Sequence, residues 1–501
     1  MAPLRPQNAS VAQPASRVAS LWLGVGAAVG GFLLGALFPH RGIYNDGIFF
    51  VQWLSDWTPI QPDREVWLYP HLLYIPLAKL FHEAASALLG LRIDESLKLF
   101  SAVCLGAAGP FLVRFFTALM SAPRAAFATA LVLLSPSVWF FAGATEIHTL
   151  HLLGVSLAIS MAVRPCGCRP LLGFAAAGAA VVGTHLSGIL LLPAIILLHV
   201  RTQRRTPTPA SPSWVRVAFA FSLGAATMWA VAGAVHWLAT EHSILVDYFR
   251  AVHPAEQPYF ETILQELWAQ SGVLAGAGLL AGIFLLIQDR ALAFAILASL
   301  AGYAHMIGSS RVEYTGGYNI GVLPLLAAGV AQLFPRWRGA PLAVAAIVLV
   351  CTQAFLAWPQ VSKAHRSENH RDVAEALAAR IGKGSALLLF LRSGVDVEFN
   401  APELKNLTRL YIGPEVLNLA ELDEPGPFGV DPVKSIAETQ RAMNRVDTAL
   451  RAGHKAYVQA SALQLAAERP YLQRCIHHLT QKYEIGPPDD AGLCEVRAKP
   501  E

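Results

Sequence analysis

The sequence predicts a polytopic α-helical membrane protein of about eleven spans, with a small α/β domain at its C-terminal end. Three observations carry that expectation. Between Val18 and Pro359 the chain is a series of apolar runs, most of them about 17–25 residues long, the length a helix needs to cross roughly 30 Å of hydrocarbon. Hydrophobic residues make up 54% and charged residues 14% of the chain, at a mean hydropathy of +0.45, which excludes a wholly soluble protein. Most of the charges sit in the gaps, Arg114 and His305 being the main ionisable exceptions, and the gaps are of two alternating kinds. One kind is basic: Arg124; Arg164 and Arg169; Arg201, Arg204, Arg205 and Arg216; Arg290; Arg336 and Arg338. The other holds Asp46; Glu146, His148 and His151; His185; Glu241, Asp247 and His253; Arg311 and Glu313. The positive-inside rule makes the first kind inner and the second outer. The net charge of +4 is therefore a topology signal, and no nucleic-acid partner is expected.

Residues 1–17 are polar and Pro/Ala-rich and read as an inner tail with no cleavable signal. The first helix, Val18 to Leu37, carries Gly26-x-x-x-Gly30 and Gly31-x-x-x-Gly35, small-residue pairs that let membrane helices approach closely. Residues 39–95 form a long first outer loop. Within it, Tyr69 to Gly90 is apolar but interrupted by Pro70, His71, Pro76, Lys79, His82 and Glu83. If this run spanned, the basic 201–205 gap would fall outside, so it reads as an interfacial helix. The further spans are 96–119, 125–142, 147–163, 170–183, 186–200, 216–240, 270–288, 291–308, 319–334 and 341–358. This completes a transmembrane domain over 18–359, with the C-terminus outside.

From 362 to 501 the pattern changes. Helical stretches (Arg371 to Ile381, Pro432 to Ala452, Glu468 to Gln481) alternate with strand-like runs (Ala386 to Leu391, Arg409 to Ile412, Ala456 to Gln459, Leu493 to Val496). This is a small soluble α/β domain on the outer side. Cys104 and Cys351 lie in apolar helices, and Cys166 and Cys168 sit in a basic gap at a spacing poor for zinc. Cys475 and Cys494, both in the outer tail, are expected to form a disulfide, which chain entropy makes worth roughly 3 kcal/mol.

Asp46, in Gly42-Ile-Tyr-Asn-Asp-Gly-Ile-Phe-Phe50, is a carboxylate just outside the membrane. It suits general-base work on an acceptor, or it is a residue of an Asn-Asp-Gly turn. Glu146 opens the fourth helix in Ala144-Thr-Glu-Ile-His-Thr-Leu-His151. It is either an ionisable residue placed at membrane depth for function or an acidic first-turn residue favoured by the helix dipole. His148 and His151 share a helix face, but their spacing with Glu146 matches no metal motif. His185 lies in the next outer turn, facing the same cavity or solvent. The loop from Glu241 to Glu266 is either a cover for a bound headgroup or a plain connection. Arg311, in Ser309-Ser-Arg-Val-Glu-Tyr-Thr-Gly-Gly-Tyr-Asn319, breaks the charge rule. It is a bidentate ligand for phosphate or half of a surface pair with Glu313.

Four of these places together resemble the GT-C superfamily of membrane glycosyltransferases, in particular protein O-mannosyltransferase-like and bacterial lipid-linked-sugar transferases. They are Asp46 in a long loop after the first helix; the juxtamembrane Tyr69-Pro-His-Leu-Leu-Tyr-Ile-Pro-Leu-Ala-Lys-Leu-Phe81; the Leu133-Leu-Ser-Pro-Ser-Val-Trp-Phe-Phe141 that closes the third span; and Glu146 followed by a helix ending at Arg164. The resemblance covers residues 18 to about 200 in motifs, and the rest by topology. It implies a GT-C-like fold and inverting transfer of a sugar from a polyprenyl-phosphate donor to a lipid, glycan or protein acceptor at the outer face, of the inner membrane in a bacterium. Asp46 and Glu146 would be the catalytic residues, and Arg311, His71, His148, His185, Glu313 and Tyr314 substrate contacts. The first loop reads Asn-Asp-Gly where many members have Asp-Glu. The second has one carboxylate and no Asp-x-Asp pair, so a divalent metal is left unassigned and no cofactor is named. A lipid or solute transporter and a non-catalytic scaffold are the alternatives. Ionisable residues gathered at one end of mostly clean spans speak against the transporter.

Overall fold

The computed structural model describes residues 17–41, 43, 47, 50, 51, 54, 72–163, 170–205, 212–240, 260–309, 317–334, 340–366, 370–382, 384–389, 416–419, 432–490 and 492–499. Its contacts divide the chain into two units, residues 1–40 with 53–365, and residues 41–52 with 366–501.

Among the described residues the elements of the first unit are helices: α1 (Arg17–Leu37), α2 (Tyr74–Leu89), α3 (Ile93–Leu119), α4 (Ala122–Leu133), α5 (Pro136–Ala142), α6 (His148–Val163), α7 (Pro170–Thr184), α8 (Leu192–Arg205), α9 (Trp214–Thr240), α10 (Phe260–Ser271), α11 (Val273–Gln288), α12 (Arg290–Ser309), α13 (Leu323–Gln332) and α14 (Ala340–Arg366). Short 3₁₀ turns, Leu186–Leu191 and Gly317–Gly321, precede α8 and α13. Among the described residues, five helical stretches are long and apolar enough to cross a membrane, or six if the bent pair α4–α5 counts as one. Most of the other expected spans are apolar helices of 10–17 residues. A 16-residue helix such as α6 is about 24 Å long, somewhat short of the hydrocarbon thickness.

Apolar side chains left outside confirm what surrounds this unit. On α1, Val18, Leu21, Trp22, Val25, Val29, Leu33 and Leu37 form an exposed stripe at helical spacing. On α11 and α14, Ile283, Ile287, Ile347 and Phe355 are likewise exposed. Such faces belong against lipid, and the protein is an integral membrane protein. α6 is apolar all round and buried on nearly every residue, which places it at the centre of the bundle.

Close packing depends on small residues. A Cβ at Gly35 would stand 2.3 Å from the Ala142 carbonyl oxygen, and one at Gly31 would stand 3.0 Å from that of Leu105. Gly26 and Gly30 meet nothing within 4 Å, so of the two consecutive glycine pairs only the second packs α1 against its neighbours. α7 and α9 meet through a reciprocal pair: a Cβ added at Gly178 would stand 2.1 Å from the Phe221 oxygen, and one added at Gly224 would stand 1.8 Å from the Ala175 oxygen.

Two of the expected straight spans are broken. Ser135 is extended because Pro136 follows it, and α4 and α5 meet at 66°. α10 and α11 part at Gly272, whose φ of 58° is left-handed. The Gln353 side chain of α14 closes that break, accepting from Val273 N–H at 2.9 Å and donating to the Ser271 oxygen at 2.8 Å.

The alternation of gaps is visible as two ends of the bundle. At one end Arg124 donates to the Ala331 oxygen and the Gln332 side chain, and Gln332 donates to the Leu119 oxygen. Arg201 and Arg205 both pair with Asp289, at 2.7 and 2.8 Å. At the opposite end His40 N–H donates to the Gly143 oxygen, Leu73 N–H to the Gly183 oxygen, and the Ser101 hydroxyl to the Glu146 oxygen. The proline-broken α2 starts beside Gly183, and its His82 meets Ser96 near the start of α3 at 3.0 Å. Both contacts are at the same end, so α2 lies across it.

The second unit contains α15 (His370–Ile381), β1 (Ala386–Leu389), β2 (Val416–Asn418), α16 (Pro432–Arg451), β3 (Ala456–Gln459), α17 (Ala460–Leu465), α18 (Pro470–Lys482), β4 (Tyr483–Pro488) and β5 (Leu493–Ala498). The sheet order is β2-β1-β3-β5-β4. β1 is parallel to β2 and β3, and β5 is antiparallel to β3 and β4. The expected strand at 409–412 and the pair Cys166 and Cys168 lie outside the described residues. Cys475 and Cys494 correct the sequence expectation: both are free thiols, buried in the core of this unit. Cys475 falls with Leu472 and Leu479 on the apolar stripe of α18, and Cys494 sits opposite Val458 in the sheet. Each fills a core position as a small hydrophobe. Burial pushes the Cys475 thiol up to about 12.

Candidate functional site

A buried polar cluster occupies the end of the bundle where α2 lies. It forms because residues 143–148, 184–187, 303 and 317–321 all close turns or helices there. Glu146, His148, His151, Thr184, His185, Ser187, Tyr303 and Asn319 are each buried. The Thr184 hydroxyl donates to the Val181 oxygen at 2.9 Å and lies 3.1 Å from His151 Nδ1, so Nδ1 carries the hydrogen and His151 Nε2 is the acceptor. Tyr303 Oη lies 3.5 Å from that Nε2. His185 Nδ1 accepts from Ser187 N–H at 3.1 Å and lies 2.6 Å from the Ser187 hydroxyl, which makes it the Nε2–H tautomer. Tyr303 also hydrogen-bonds Ser187, so a chain of hydroxyls runs from Tyr303 through Ser187 to His185.

Burial pushes His185 down to about 4, so its imidazole is neutral at physiological pH. His148 packs on the Phe141 ring at 4.1 Å. Tyr74, the first residue of α2, is fully buried; burial and then the Glu146 carboxylate hold its hydroxyl well above the usual tyrosine range. Neutral imidazoles and hydroxyls thus share this end of the bundle with the Glu146 carboxylate, which acts on Tyr74. Two further polar groups at this end, the Asn319 side-chain amide and the Thr145 hydroxyl, are buried with no hydrogen-bond partner among the described residues. Asn319 N–H itself is held by Gln270 at 3.2 Å. Buried polar atoms left without partners are expected where a polar ligand docks.

The root of the first loop is anchored at the same place. Besides its bond to Gly143, His40 lies against Phe140 at 4.4 Å between ring centroids. Burial, then Lys98 and His365, lower it to about 3. Lys98 pairs with Asp94 at 3.6 Å, both nearly buried.

Of the residues named from sequence, Glu146, His148 and His185 come together here. Asp46, His71, Arg311, Glu313 and Tyr314 lie outside the described residues. Sequence reasoning passed over Tyr74, Thr184, Ser187, Tyr303 and Asn319, and set His151 aside after weighing it for zinc. The signal for Tyr303 was a phenol inside an apolar helix, which is costly unless its hydroxyl has a partner. Among the described residues, no group of three or more His, Cys, Asp or Glu is placed to hold a metal ion.

No protein-family model matches the chain, and no curated protein matches it in sequence. Solved structures do match in fold. ArnT from Cupriavidus metallidurans bound to undecaprenyl phosphate aligns over 97% of this chain and 100% of its own, at TM-score 0.54 and 13% identity. The fold is that of the GT-C membrane glycosyltransferases. The apo oligosaccharyltransferase of Archaeoglobus fulgidus aligns over 97% of this chain and 75% of its own, at TM-score 0.53 and 11% identity. The mycobacterial arabinofuranosyltransferase AftD aligns over 96% of this chain and 42% of its own, at TM-score 0.55 and 16% identity.

Proposed function

We propose that this protein is an inverting glycosyltransferase that moves a sugar from a polyprenyl-phosphate donor to an acceptor at the outer face of the membrane. The observation that supports this reading most is the gathering of Glu146, His148, His151, His185 and Tyr303 into one buried cluster at a single end of a GT-C bundle. ArnT, which the chain matches in fold over nearly its whole length, is known in complex with undecaprenyl phosphate, and this favours a lipid-phosphate donor.

In this reaction the acceptor oxygen or nitrogen attacks the anomeric carbon. The bond from that carbon to the phosphate oxygen breaks, and the phosphate leaves with the electron pair. Two things lower the barrier: a base that takes the acceptor proton, and a cation that meets the charge growing on phosphate. We assign the first to Asp46 and the second to Arg311. Glu146 supports the acceptor side as its second carboxylate. The neutral imidazoles of His148 and His185 offer hydrogen bonds without adding charge, and His71, Glu313 and Tyr314 complete the substrate contacts. This orientation puts the Arg201–Asp289 end on the inner side and the domain from 362 on the outer side, following the positive-inside rule.

The test is transfer activity in cells carrying each variant. Asp46→Asn keeps size but cannot take a proton, so loss of about 10²- to 10⁴-fold is expected. Near-normal activity in Asp46→Asn would show that Asp46 is a turn residue and that the mechanism is wrong.

A further inference from the structure

The C-terminal unit holds a groove between α16 and α18 that the transfer reading does not use. Its volume is about 500 Å³, within the range that takes a small phosphorylated metabolite or a lipid headgroup. One wall is a row of nitrogen-bearing side chains, with arginine and lysine at its two ends. Arg474, His478 and Lys482 are spaced four apart on α18 and so share one face. The opposite wall supplies neutral hydrogen-bonding groups, among them Thr439 and Gln440. Asp447 is the one carboxylate among the lining residues, and it is already engaged: Lys482 and the Tyr483 hydroxyl both bond it.

Arg474 is different. It makes no ion pair among the described residues, and its guanidinium lies over the Tyr471 ring, 5.6 Å from the centroid. An arginine tethered by a cation–π contact to a neighbouring ring loses side-chain freedom, and its planar donor fork suits phosphate oxygens bound in pairs. The helix dipole explains a cation in the last turn, where Lys482 sits, but not one in the middle of α18 at Arg474.

We propose that the α16–α18 groove is a binding site for a phosphate group, with Arg474 as its principal ligand and His478 as its neighbour. The phosphate belongs either to a soluble phosphorylated molecule or to an anionic lipid headgroup.

The experiment uses the full chain in nanodiscs of phosphatidylcholine, titrated calorimetrically with two probes in separate runs. One is inorganic pyrophosphate; the other is dihexanoyl-phosphatidylglycerol below its micellar concentration. Saturable binding is expected, and Arg474→Ala should weaken it about tenfold or more, as loss of a charged hydrogen-bond donor does. Arg474→Gln, which suits a helix and keeps an amide but drops the charge, should show a similar loss. Arg441→Ala, on α16 outside the groove and paired with Glu438 at 2.9 Å, should bind as wild type. Preference for pyrophosphate identifies a soluble ligand; preference for the lipid identifies a headgroup. Absence of saturable binding to both probes would overturn the proposal. So would binding unchanged in Arg474→Ala and Arg474→Gln, or weakened equally in Arg441→Ala. Binding here and sugar transfer are read by different assays, so either can fail without the other.

Discussion

Gly321 is the position where one atom tests the architecture of the cluster. A Cβ added there would stand 2.0 Å from Tyr303 Oη, 2.7 Å from Tyr303 Cζ and 3.3 Å from His151 Nε2. Ordinary contact begins near 3.4 Å, so Gly321→Ala requires the hydroxyl to withdraw by about 1.4 Å. Tyr303 is fully buried and its ring cannot swing into solvent. The movement therefore breaks the bond to Ser187 and disturbs His151. Overpacking costs about 1–3 kcal/mol and a broken buried hydrogen bond about 1–3 kcal/mol, so a loss of about 2–6 kcal/mol is expected. Tyr303→Phe alone should cost about 1 kcal/mol, because it removes the hydroxyl and leaves the shape. It also deletes the tightest contact that the added Cβ would make, leaving the 2.7 Å approach to Cζ. The double variant should therefore be more stable than the sum of the singles by about 1–2 kcal/mol. Thermal unfolding of the four proteins in detergent, with sugar transfer measured in parallel, makes the cycle complete. Strict additivity, or a neutral Gly321→Ala, would refute the close approach of the 317–321 turn to Tyr303.

Glu146→Gln is expected to impair transfer with little loss of folded protein, since Gln keeps the shape; full activity would remove Glu146 from the mechanism. His40 and His185 are held neutral, at about 3 and about 4, whereas an unfolded chain protonates them near 6.5. Their contribution to stability is thus complete above pH 6.5 and is lost as pH falls toward 4. Melting temperatures from pH 7.5 to 4 should drop, less steeply in His185→Asn; an identical slope would refute the assignment. Cys475 and Cys494 should both alkylate after denaturation without reductant and resist alkylation when native, as mass spectrometry can show; a linked pair would contradict the packing of α18. A leucine at Gly178 or Gly224 should lower the yield of folded protein sharply, because the α7 and α9 backbones touch there; normal yield in both would contradict that contact.

The parts of the fold legible in sequence were those written in long-range composition. Apolar length located the helices, and the sorting of Arg gaps from carboxylate and histidine gaps gave the two ends now seen in the Arg201–Asp289 and His40–Gly143 contacts. Helix breaks were harder. The Leu134-Ser135-Pro136 break was in view but was read within one span, since a proline at the first turn of α5 suits a helix as well as it ends one. At Gly272 the break depends on Gln353, which is distant in sequence. The cysteines misled because compartment and spacing do not report whether two sulfurs face each other; the core stripe of α18 decided that. In the site, charged residues drew attention. Neutral partners did not, because Tyr303, Thr184, Ser187 and Asn319 acquire meaning only when α6, α7, α12 and the 317–321 turn converge.

The central claim is that the protein consumes a polyprenyl-phosphate-linked sugar. Mass spectrometry of the lipid fraction tests it most directly, comparing cells that carry the wild-type chain, a deletion and Asp46→Asn. One polyprenyl-phosphate-sugar species should accumulate equally in the deletion and in Asp46→Asn, and its mass would identify the sugar. A lipid-linked sugar pool unchanged in both strains would contradict the account.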